Sequence, residues 1–309
     1  MVLIEKMNGP DVDAVVQRVA ERLGYEARCN VFVDPDISTT DLARALREAP
    51  STTWIARDER RIVGHLHGAV LESAGFAPGA WVGPDGVSFD DAEILSALYA
   101  SAGQAWIDAG AREHYAWVLD DAASTAPWHD LGFARVHLRG ALALGPVRVR
   151  SLPDGYQHRC GTIDDLDLVV VLAQEIDHAN ALGPSFVVNE GAGSTREDLA
   201  EILSEPDTTL HLVEYDGQPI AQCITFPLPA QRGSFRATIH LSAVVVRRAH
   251  QGHGIARAMV DTALHDARAR GFAYGDTSWR ATNRGAHRFW TRYGFLPTYV
   301  RLHRTIGPN

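Results

Sequence analysis

The stretch from His240 to Arg257, HLSAVVVRRAHQGHGIAR, has the residue types and spacing of a phosphate-binding segment. It begins with β-branched residues typical of a strand, passes through a basic and polar turn, and ends at the start of a helix. Gly252 and Gly254 have no Cβ, so the backbone there allows close approach of a ligand. The first N–H groups of a helix have no partner within the helix and lie at the positive end of its dipole. We therefore expect this segment to bind an anion, and a pyrophosphate fits that chemistry.

Two motifs follow one another in the second half of the chain. The pattern Q/R-x-x-G-x-G/A is present as Gln251, Gly254 and Ala256, after a strand that ends at Val246. The pattern N-x-x-A-x-x-F-x-x-x-x-G-F follows as Asn283, Ala286, Phe289, Gly294 and Phe295. Together they resemble the pyrophosphate-binding motif and a second signature of the GNAT superfamily of N-acetyltransferases. The resemblance covers roughly residues 155 to 305 and extends to the first half only in architecture.

The resemblance implies acetyl-coenzyme A (acetyl-CoA) as co-substrate and gives each segment a role. The backbone of Val244, Val245 and Val246 would pair with the pantetheine arm as an added strand, and Asn283 would contact the same arm. The pyrophosphate would be held by six consecutive N–H groups, those of Gly252, His253, Gly254, Ile255, Ala256 and Arg257. No metal is expected, because the helix terminus supplies the positive potential.

Acetyl transfer to an amine needs a neutral nitrogen, a nearby thioester, donors for the developing oxyanion and a proton for the leaving thiolate. Under the resemblance, backbone N–H groups near Val244 and Val245 are the oxyanion donors, and the amine attacks the thioester directly. His240 is the best candidate for the base, because it lies on the cofactor strand and a histidine titrates near neutrality. A strand histidine satisfied by a neighbour is the alternative. Weaker candidates for the base are His211, Glu214 and Ser242.

The proton source differs from the usual family pattern. Many GNAT enzymes have a tyrosine four residues before the glycine of the Gly-Phe pair, and this chain has Trp290 there. An indole N–H is a donor but not a practical acid. Tyr293 is the nearest substitute, and a packing role for its ring is an equally good interpretation. Trp290 itself is predicted to pack against the core or the cofactor.

The same order of predicted helices and strands occurs twice along the chain. In the first half, a helix over 91–109 ends at Gly110, a strand covers 114–119, and WHDLGF follows at 128–133. In the second half, a helix over 254–270 ends at Gly271, a strand covers 273–279, and WTRYGF follows at 290–295. Upstream, amphipathic helices are predicted over 12–23 and 163–179, and shorter ones over 40–48 and 195–204, the last with a capping box from Ser194 and Glu197. Paired strands are predicted over 53–70 and 210–226.

We therefore predict an α/β chain of the α+β type, with two tandem GNAT-like domains. Each domain has a mixed, mostly antiparallel central sheet flanked by helices. A segment rich in glycine and proline between Leu144 and Pro153 places the boundary, so that residues 1–147 form a degenerate copy and residues 148–309 the acetyl-CoA-binding copy. In the first copy, Asp90, Asp91 and Glu93 replace the pyrophosphate motif, and we expect that copy to bind no cofactor.

Composition narrows the class of function. The formal net charge of -9 argues against nucleic acid and is compatible with a small-molecule amine as acceptor. No apolar run reaches the roughly 20 residues that span a bilayer, so we expect no membrane partner. The three isolated cysteines indicate a reducing compartment, so we expect a cytoplasmic protein. We expect it to be a monomer or a homodimer. The acceptor pocket is expected in loops such as 184–193 and 227–233. The alternatives are an acyl-CoA-binding sensor that has lost its chemistry, and a nicotinamide-dependent oxidoreductase.

Overall fold

The computed structural model describes residues 2–34, 39–48, 52–71, 78–146, 148–187, 195–229 and 236–307. The chain divides into two compact units. Unit 1 comprises Met1–Leu138, Ala230–Arg236 and Thr298–Asn309, and unit 2 comprises Arg139–Pro229 and Ala237–Pro297. Each unit thus contains a strand segment from the other half of the sequence. The division at residues 147 and 148 stays a prediction about the two sequence copies.

Unit 1 has two sheets and four helices among the described residues. Its elements are β1 (Val2–Lys6), α1 (Val12–Cys29), α2 (Thr39–Glu48), β2 (Thr53–Asp58), β3 (Arg61–His67), β4 (Ala69–Leu71), β5 (Gly79–Val82), β6 (Val87–Phe89), α3 (Ala92–Asp108), β7 (Glu113–Leu119), α4 (Ala122–Asp130), the first part of β8 (Ala134–Ala143) and the last part of β14 (Leu296–Thr305). One sheet has the order β1-β2-β3-β6, and β4, β5, β7 and β14 are neighbours in the other. Strand β14 pairs antiparallel with β7 from Tyr299 opposite Leu119 to Thr305 opposite Glu113.

Unit 2 has one mixed sheet covered by helices on both faces. Its elements are the last part of β8, β9 (Tyr156–Gly161), α5 (Leu166–Ala181), α6 (Arg196–Ser204), β10 (Thr209–Tyr215), β11 (Gln218–Leu228), β12 (Thr238–Val246), α7 (Ile255–Ala269), β13 (Tyr274–Arg280) and α8 (Arg284–Tyr293). The strand order is β8-β13-β12-β11-β10-β9. Neighbours from β9 to β12 are antiparallel, and β12 and β13 are parallel. This mixed, mostly antiparallel arrangement confirms the predicted fold class.

The core of unit 2 explains which residues face which helix. Val169 and Leu172 of α5 and Leu199 of α6 lie in one apolar cluster with four strand residues, Leu210, Leu212, Ile224 and Val245. Directly opposite residues on neighbouring strands point to the same face of a sheet, so these strand positions define the α5 face. Helix α7 packs on β10, β11 and β12. Its buried positions, including Ile255, Met259 and Leu264, recur at helical spacing.

Local signals set the helix ends. Helix α6 begins with a capping box formed by Thr195 and Asp198, whereas the box predicted at Ser194 lies outside the described residues. Gly110 and Gly271 have φ angles of 88° and 95° just after α3 and α7, as expected for helix-ending glycines. The predicted acceptor loops are described only in part, since residues 188–193 and 230–233 lie outside the described ranges. No helix among the described residues is long and apolar enough to cross a membrane.

Candidate functional site

Strand β12 carries a β-bulge where the sequence predicts the pantetheine strand. Opposite β11, the register runs from Ile224 paired with Ser242 to Gln222 paired with Val245, so β12 has an extra residue in this stretch. Ala243 lies there with a φ angle of 48°, which is uncommon for a residue with a side chain. Bulges bend a strand and increase its twist. The bulge therefore turns the last residues of β12 out of the regular sheet.

On its other edge, strand β12 stops pairing with β13 just before the bulge. Its parallel pairing with β13 covers Ile239 to Leu241 opposite Gly275 to Thr277 and ends there. Strand β13 continues to Arg280, so the two strands separate rather than end together. Among the described residues, the backbone edge of β12 from Ser242 to Val246 thus has no partner on β13. An edge of this kind accepts an extended ligand as an added strand.

The chain then enters α7 through a turn that leaves its backbone amides free. The side-chain Nε2 of Gln251 donates to the carbonyl oxygen of Val246 at 2.9 Å, which fixes the turn to the end of β12. Gly252 and Gly254 have φ angles of 86° and 82°, and a Cβ at either position would meet no atom within 4 Å. Gly254 is the N-cap residue of α7. Glycine is thus required by the left-handed backbone, and the space around it is open.

Six N–H groups at this helix entrance form no hydrogen bond within the described part of the chain. They belong to residues 252–257, and the first N–H with a partner in the helix is that of Ala258, which donates to the oxygen of Gly254 at 3.0 Å. The guanidinium of Arg257 lies 4.3 Å from the centre of the Tyr293 ring and donates to the carbonyl oxygen of Arg292 at 3.4 Å. Free amides beside a cationic side chain at a helix N-terminus make an anion site. Binding of a pyrophosphate by these residues stays a prediction.

His240 belongs to a buried charge cluster on the α5 face of the sheet. Its Nδ1 lies 2.5 Å from Oδ1 of Asp276, and the other oxygen of Asp276 bonds Nε of Arg139. Burial alone would raise the pKa of Asp276, but the charges and hydrogen bonds of His240 and Arg139 lower that pKa overall. Asp276 is therefore a carboxylate, and Nδ1 of His240 carries the hydrogen in this pair. In the neutral imidazole this arrangement leaves Nε2 of His240 as an acceptor without a hydrogen bond to any described residue, on a side chain that is 17% exposed.

Tyr293 is held by a second buried carboxylate. Its hydroxyl donates to Oδ1 of Asp261 at 2.6 Å, and Oδ2 of Asp261 accepts from Nη1 of Arg150 at 2.8 Å. Burial, followed by the hydrogen bond to Asp261, raises the pKa of Tyr293 above its ordinary value. The hydroxyl is therefore a weaker acid than a free tyrosine. Trp290 is buried against Phe295, with ring centres 5.0 Å apart, which agrees with the predicted packing role.

Asn283 has a structural function in addition to the predicted one. It is the N-cap residue of α8, where its Oδ1 accepts from the N–H of Ala286 at 3.0 Å. Its Nδ2 donates to Oδ1 of Asn180 at 3.4 Å. Contact of Asn283 with the pantetheine arm stays a prediction. The fixed side chain shows that the Asn-x-x-Ala spacing encodes a helix cap.

The weaker candidates for the base lie elsewhere or have other partners. His211 and Glu214 are on β10, which is separated from β12 by β11. His211 contacts Nε2 of His158 at 3.1 Å through its Nδ1, and Glu214 forms an ion pair with Arg159 at 2.7 Å. Only Ser242 lies on β12 beside the bulge. The structure thus brings His240 and Ser242 together with the predicted cofactor strand and leaves the two β10 residues apart.

Sequence reasoning missed three charged residues, Arg139, Asp261 and Asp276. Asp276 stands opposite His240 in a parallel register that no sequence spacing discloses. Asp261 and Tyr293 come from different helices, α7 and α8. The one available signal was an aspartate in the middle of an otherwise apolar helix or strand pattern, because such a residue needs a partner when buried.

The corresponding helix entrance in unit 1 is closed by its own carboxylates. Asp91 is the N-cap residue of α3, and its side chain accepts from the N–H of Ile94 at 3.0 Å. Asp90 accepts from Arg18 and Arg61, both at 2.8 Å. The amides that would face a phosphate therefore have a negative side chain beside them. Among the described residues, no group of three His, Cys, Asp or Glu residues is arranged to hold a metal ion.

Comparisons with known proteins find a family match for part of the chain and similar folds for the whole of it. The model of the Acetyltransferase (GNAT) family matches residues 177–295. A GCN5-related N-acetyltransferase from Sphaerobacter thermophilus is similar over 100% of this chain and 96% of its own, with a TM-score of 0.67 and 18% identity. A tandem GNAT protein from the clavulanic acid biosynthesis pathway is similar over 100% of both chains, with a TM-score of 0.57 and 19% identity.

A third similar structure is the glucosamine N-acetyltransferase region of a fungal multi-domain GH3 β-N-acetylglucosaminidase. The similarity covers 98% of this chain and 38% of the fungal one, with a TM-score of 0.62 and 15% identity. No curated protein sequence matches the chain significantly. Residues 177–295 therefore match the Acetyltransferase (GNAT) family, and the chain as a whole has the fold of tandem GNAT structures.

Proposed function

We propose that unit 2 binds acetyl-CoA and transfers its acetyl group to the amine of a small molecule. The observation that supports this most directly is the order of two features along one segment. The unpaired edge of β12 over 242–246 is followed, after one short turn, by the free N–H groups of residues 252–257. A ligand with an extended arm and a diphosphate needs these two features at this separation.

The groups that would hold the co-substrate are backbone groups of two segments and the side chain of Asn283. Backbone groups of Val244, Val245 and Val246 would pair with the amides of the pantetheine arm, and the six amides from Gly252 to Arg257 would bind the pyrophosphate. Asn283 would contact the arm from the start of α8. Because these donors are fixed before the ligand arrives, binding requires little reorganisation of the protein.

His240 is the proposed general base, and Asp276 is its positioning residue. The carboxylate fixes the imidazole with Nδ1–H towards it, so that Nε2 receives the proton of the incoming ammonium group, directly or through water. The neutral nitrogen then attacks the thioester carbon, and the carbonyl electron pair moves to the oxygen. Backbone N–H groups near Val244 and Val245 would stabilise that oxyanion. The C–S bond then breaks, the electron pair leaves with sulfur, and the nitrogen releases its second proton to solvent, which leaves a neutral amide.

The leaving thiolate takes its proton from Tyr293 or from solvent. Tyr293 remains the candidate predicted from the sequence, and its hydrogen bond to Asp261 keeps it protonated at neutral pH. The same bond makes donation to sulfur less favourable, because the proton is already shared with a carboxylate. Solvent protonation is sufficient for a thiolate, which is a stable leaving group near neutral pH.

Unit 1 is proposed to bind no cofactor and to act as a structural partner of the catalytic copy. The capping of α3 by Asp91 and the ion pairs of Asp90 support this. The acceptor is proposed to be a small amine, to which the net charge of -9 is favourable. We further propose a cytoplasmic monomer or homodimer.

Thermal-shift measurements with acetyl-CoA, free CoA and NAD test the proposed binding site. We expect acetyl-CoA to raise the melting temperature and NAD to have no effect, and the reverse result would favour an oxidoreductase. Thiol release in the presence of a panel of amines then tests the chemistry. Glucosamine belongs in this panel, because one structural neighbour is a glucosamine N-acetyltransferase region.

A second candidate function is an acyl-CoA sensor without catalysis. The burial of Trp290 at the usual position of the acidic tyrosine favours it, together with the engagement of the Tyr293 hydroxyl by Asp261. Acetyl-CoA binding without thiol release from any amine would support the sensor over the enzyme.

A further inference from the structure

Gln222 is a buried polar side chain without a partner. It is 0% exposed, and neither its Oε1 nor its Nε2 forms a hydrogen bond with any described residue. Leaving a buried donor or acceptor unsatisfied is unfavourable, because the group has lost its hydrogen bonds to water and gained none from the protein. Because such groups are rare in native proteins, a carboxamide with both atoms unsatisfied calls for a functional reason.

The position of Gln222 relates it to the bulge of β12. It lies directly opposite Val245 of β12, where the pairing resumes after the bulge, and opposite Leu212 of β10 on its other side. Val245 and Leu212 belong to the apolar cluster under α5, so Gln222 points to that same face. The carboxamide is therefore placed beside the strand segment whose N–H groups are the proposed oxyanion donors.

Unit 1 has a satisfied polar pair at the corresponding position. His65 and Gln222 correspond in position, because each lies four residues after the residue that begins the second strand of its hairpin, Arg61 in β3 and Gln218 in β11. The residue opposite His65 on β6 is Ser88. Nδ1 of His65 lies 2.7 Å from Oγ of Ser88, and its Nε2 lies 3.2 Å from the carbonyl oxygen of Asp85. Arg18 of α1 also donates to Oγ of Ser88, at 3.2 Å. In the copy proposed to bind no cofactor, the polar groups thus bond to one another.

Among its described residues, unit 2 lacks the two side chains that bond to this pair in unit 1. Val245 replaces Ser88, and Leu172 of α5 holds the position of Arg18 when both are counted from the capping boxes at Asn8 and Thr162. Both replacements are apolar and lie in the cluster under α5. Unit 2 thus has a polar side chain at this position without the polar side chains that bond to it in unit 1, which is the pattern expected when a ligand supplies the partner.

We infer that Gln222 contacts the acyl end of the bound thioester. Its Nε2 donates to the acyl carbonyl oxygen, and its Oε1 accepts from an N–H of the attacking amine. A carboxamide is suited to both tasks, because it carries a donor and an acceptor side by side. The contact with the carbonyl oxygen strengthens as negative charge develops there. This inference rests on the proposed function, since it needs an acyl thioester at the bulge.

The test compares the affinities of acetyl-CoA and free CoA, which differ only in the acyl group. We expect the wild-type protein to bind acetyl-CoA more tightly, and Gln222→Met to reduce that preference about fivefold, which corresponds to one hydrogen bond of about 1 kcal/mol. Methionine has nearly the volume of glutamine, and Gln222→Leu serves as the second variant if the first does not fold. Both variants should also melt at a higher temperature than wild type without ligand, because they remove unsatisfied buried groups.

Thr238→Val is the matched control. Thr238 lies on β12, is 4% exposed and has an unpartnered Oγ1, but it pairs with Leu228 at the far end of the strand. This variant should also gain stability, and it should keep the wild-type preference for acetyl-CoA. An unchanged preference in both Gln222 variants, or equal wild-type affinities for the two ligands, would overturn the inference and leave the proposed function standing. Absence of binding to either ligand in the wild-type protein would refute the proposed function itself.

Discussion

Replacement of Gly254 by glutamate tests the helix entrance of α7 directly. Gly254 has a φ angle of 82°, so any other L-residue there costs about 1–2 kcal/mol of folding free energy. No atom lies within 4 Å of an added Cβ, so the side chain itself meets no protein group. We therefore expect Gly254→Glu to fold, with a moderately lower melting temperature.

The effect on acetyl-CoA binding should be much larger than the effect on folding. A carboxylate about 4 Å from one phosphate charge is repelled by about 4 kcal/mol at an effective dielectric constant near 20. That energy corresponds to about a thousandfold weaker binding. Gly254→Ala adds the backbone strain without the charge, and we expect it to weaken binding far less.

Isothermal titration with acetyl-CoA measures the affinity, and thermal unfolding without ligand measures the strain. Gly271→Glu is the control, because Gly271 has a φ angle of 95° and open space around it at the other end of α7. It should lose stability but keep its affinity for acetyl-CoA. Binding by Gly254→Glu within about threefold of wild type would refute the phosphate site at this helix.

Three further predictions concern the buried charged groups. His240→Ala should lower the rate of acetyl transfer by about 10²–10⁴-fold, and Asp276→Asn should lower that rate at unchanged acetyl-CoA affinity. A rate of His240→Ala within about threefold of wild type would exclude His240 as the base. Tyr293→Phe should lower the free energy of unfolding by about 1–2 kcal/mol, because Asp261 loses a donor, and should leave the rate of thiol release within about threefold of wild type. A larger fall in kcat, measured where the variant is fully folded, would identify Tyr293 as the proton source. Burial lowers the pKa of His211 to about 4. Between pH 6.5 and 4 the histidine is therefore protonated in the unfolded state but mostly neutral in the folded state. The free energy of unfolding should fall by about 3 kcal/mol over this range. Urea unfolding of His211→Gln should show a shallower loss over this range, and an equal slope would contradict the assignment.

The repeated order of helices and strands was predictable because it depends on local patterns. Apolar spacing, helix-ending glycines and capping residues fix an element within a short stretch of chain, as at Gly110 and Gly271. The exchange of strand segments between the units was not predictable. It depends on which edge strand finds a partner, and Thr298 to Thr305 pairs with β7 of unit 1 although it follows the second copy in sequence.

The sequence by itself determined the helix entrance, because Gly252 and Gly254 act through their own backbone and the side chain of Gln251 bonds to Val246, five residues earlier in the chain. Only the tertiary structure decided what surrounds the reacting groups. The carboxylate that orients His240 is Asp276, which comes from another strand, and the partners that Gln222 lacks are identified by its register with Val245. Hydrogen bonds and charge interactions act over a few ångströms of space regardless of separation along the chain, so spacing in the sequence could not disclose them.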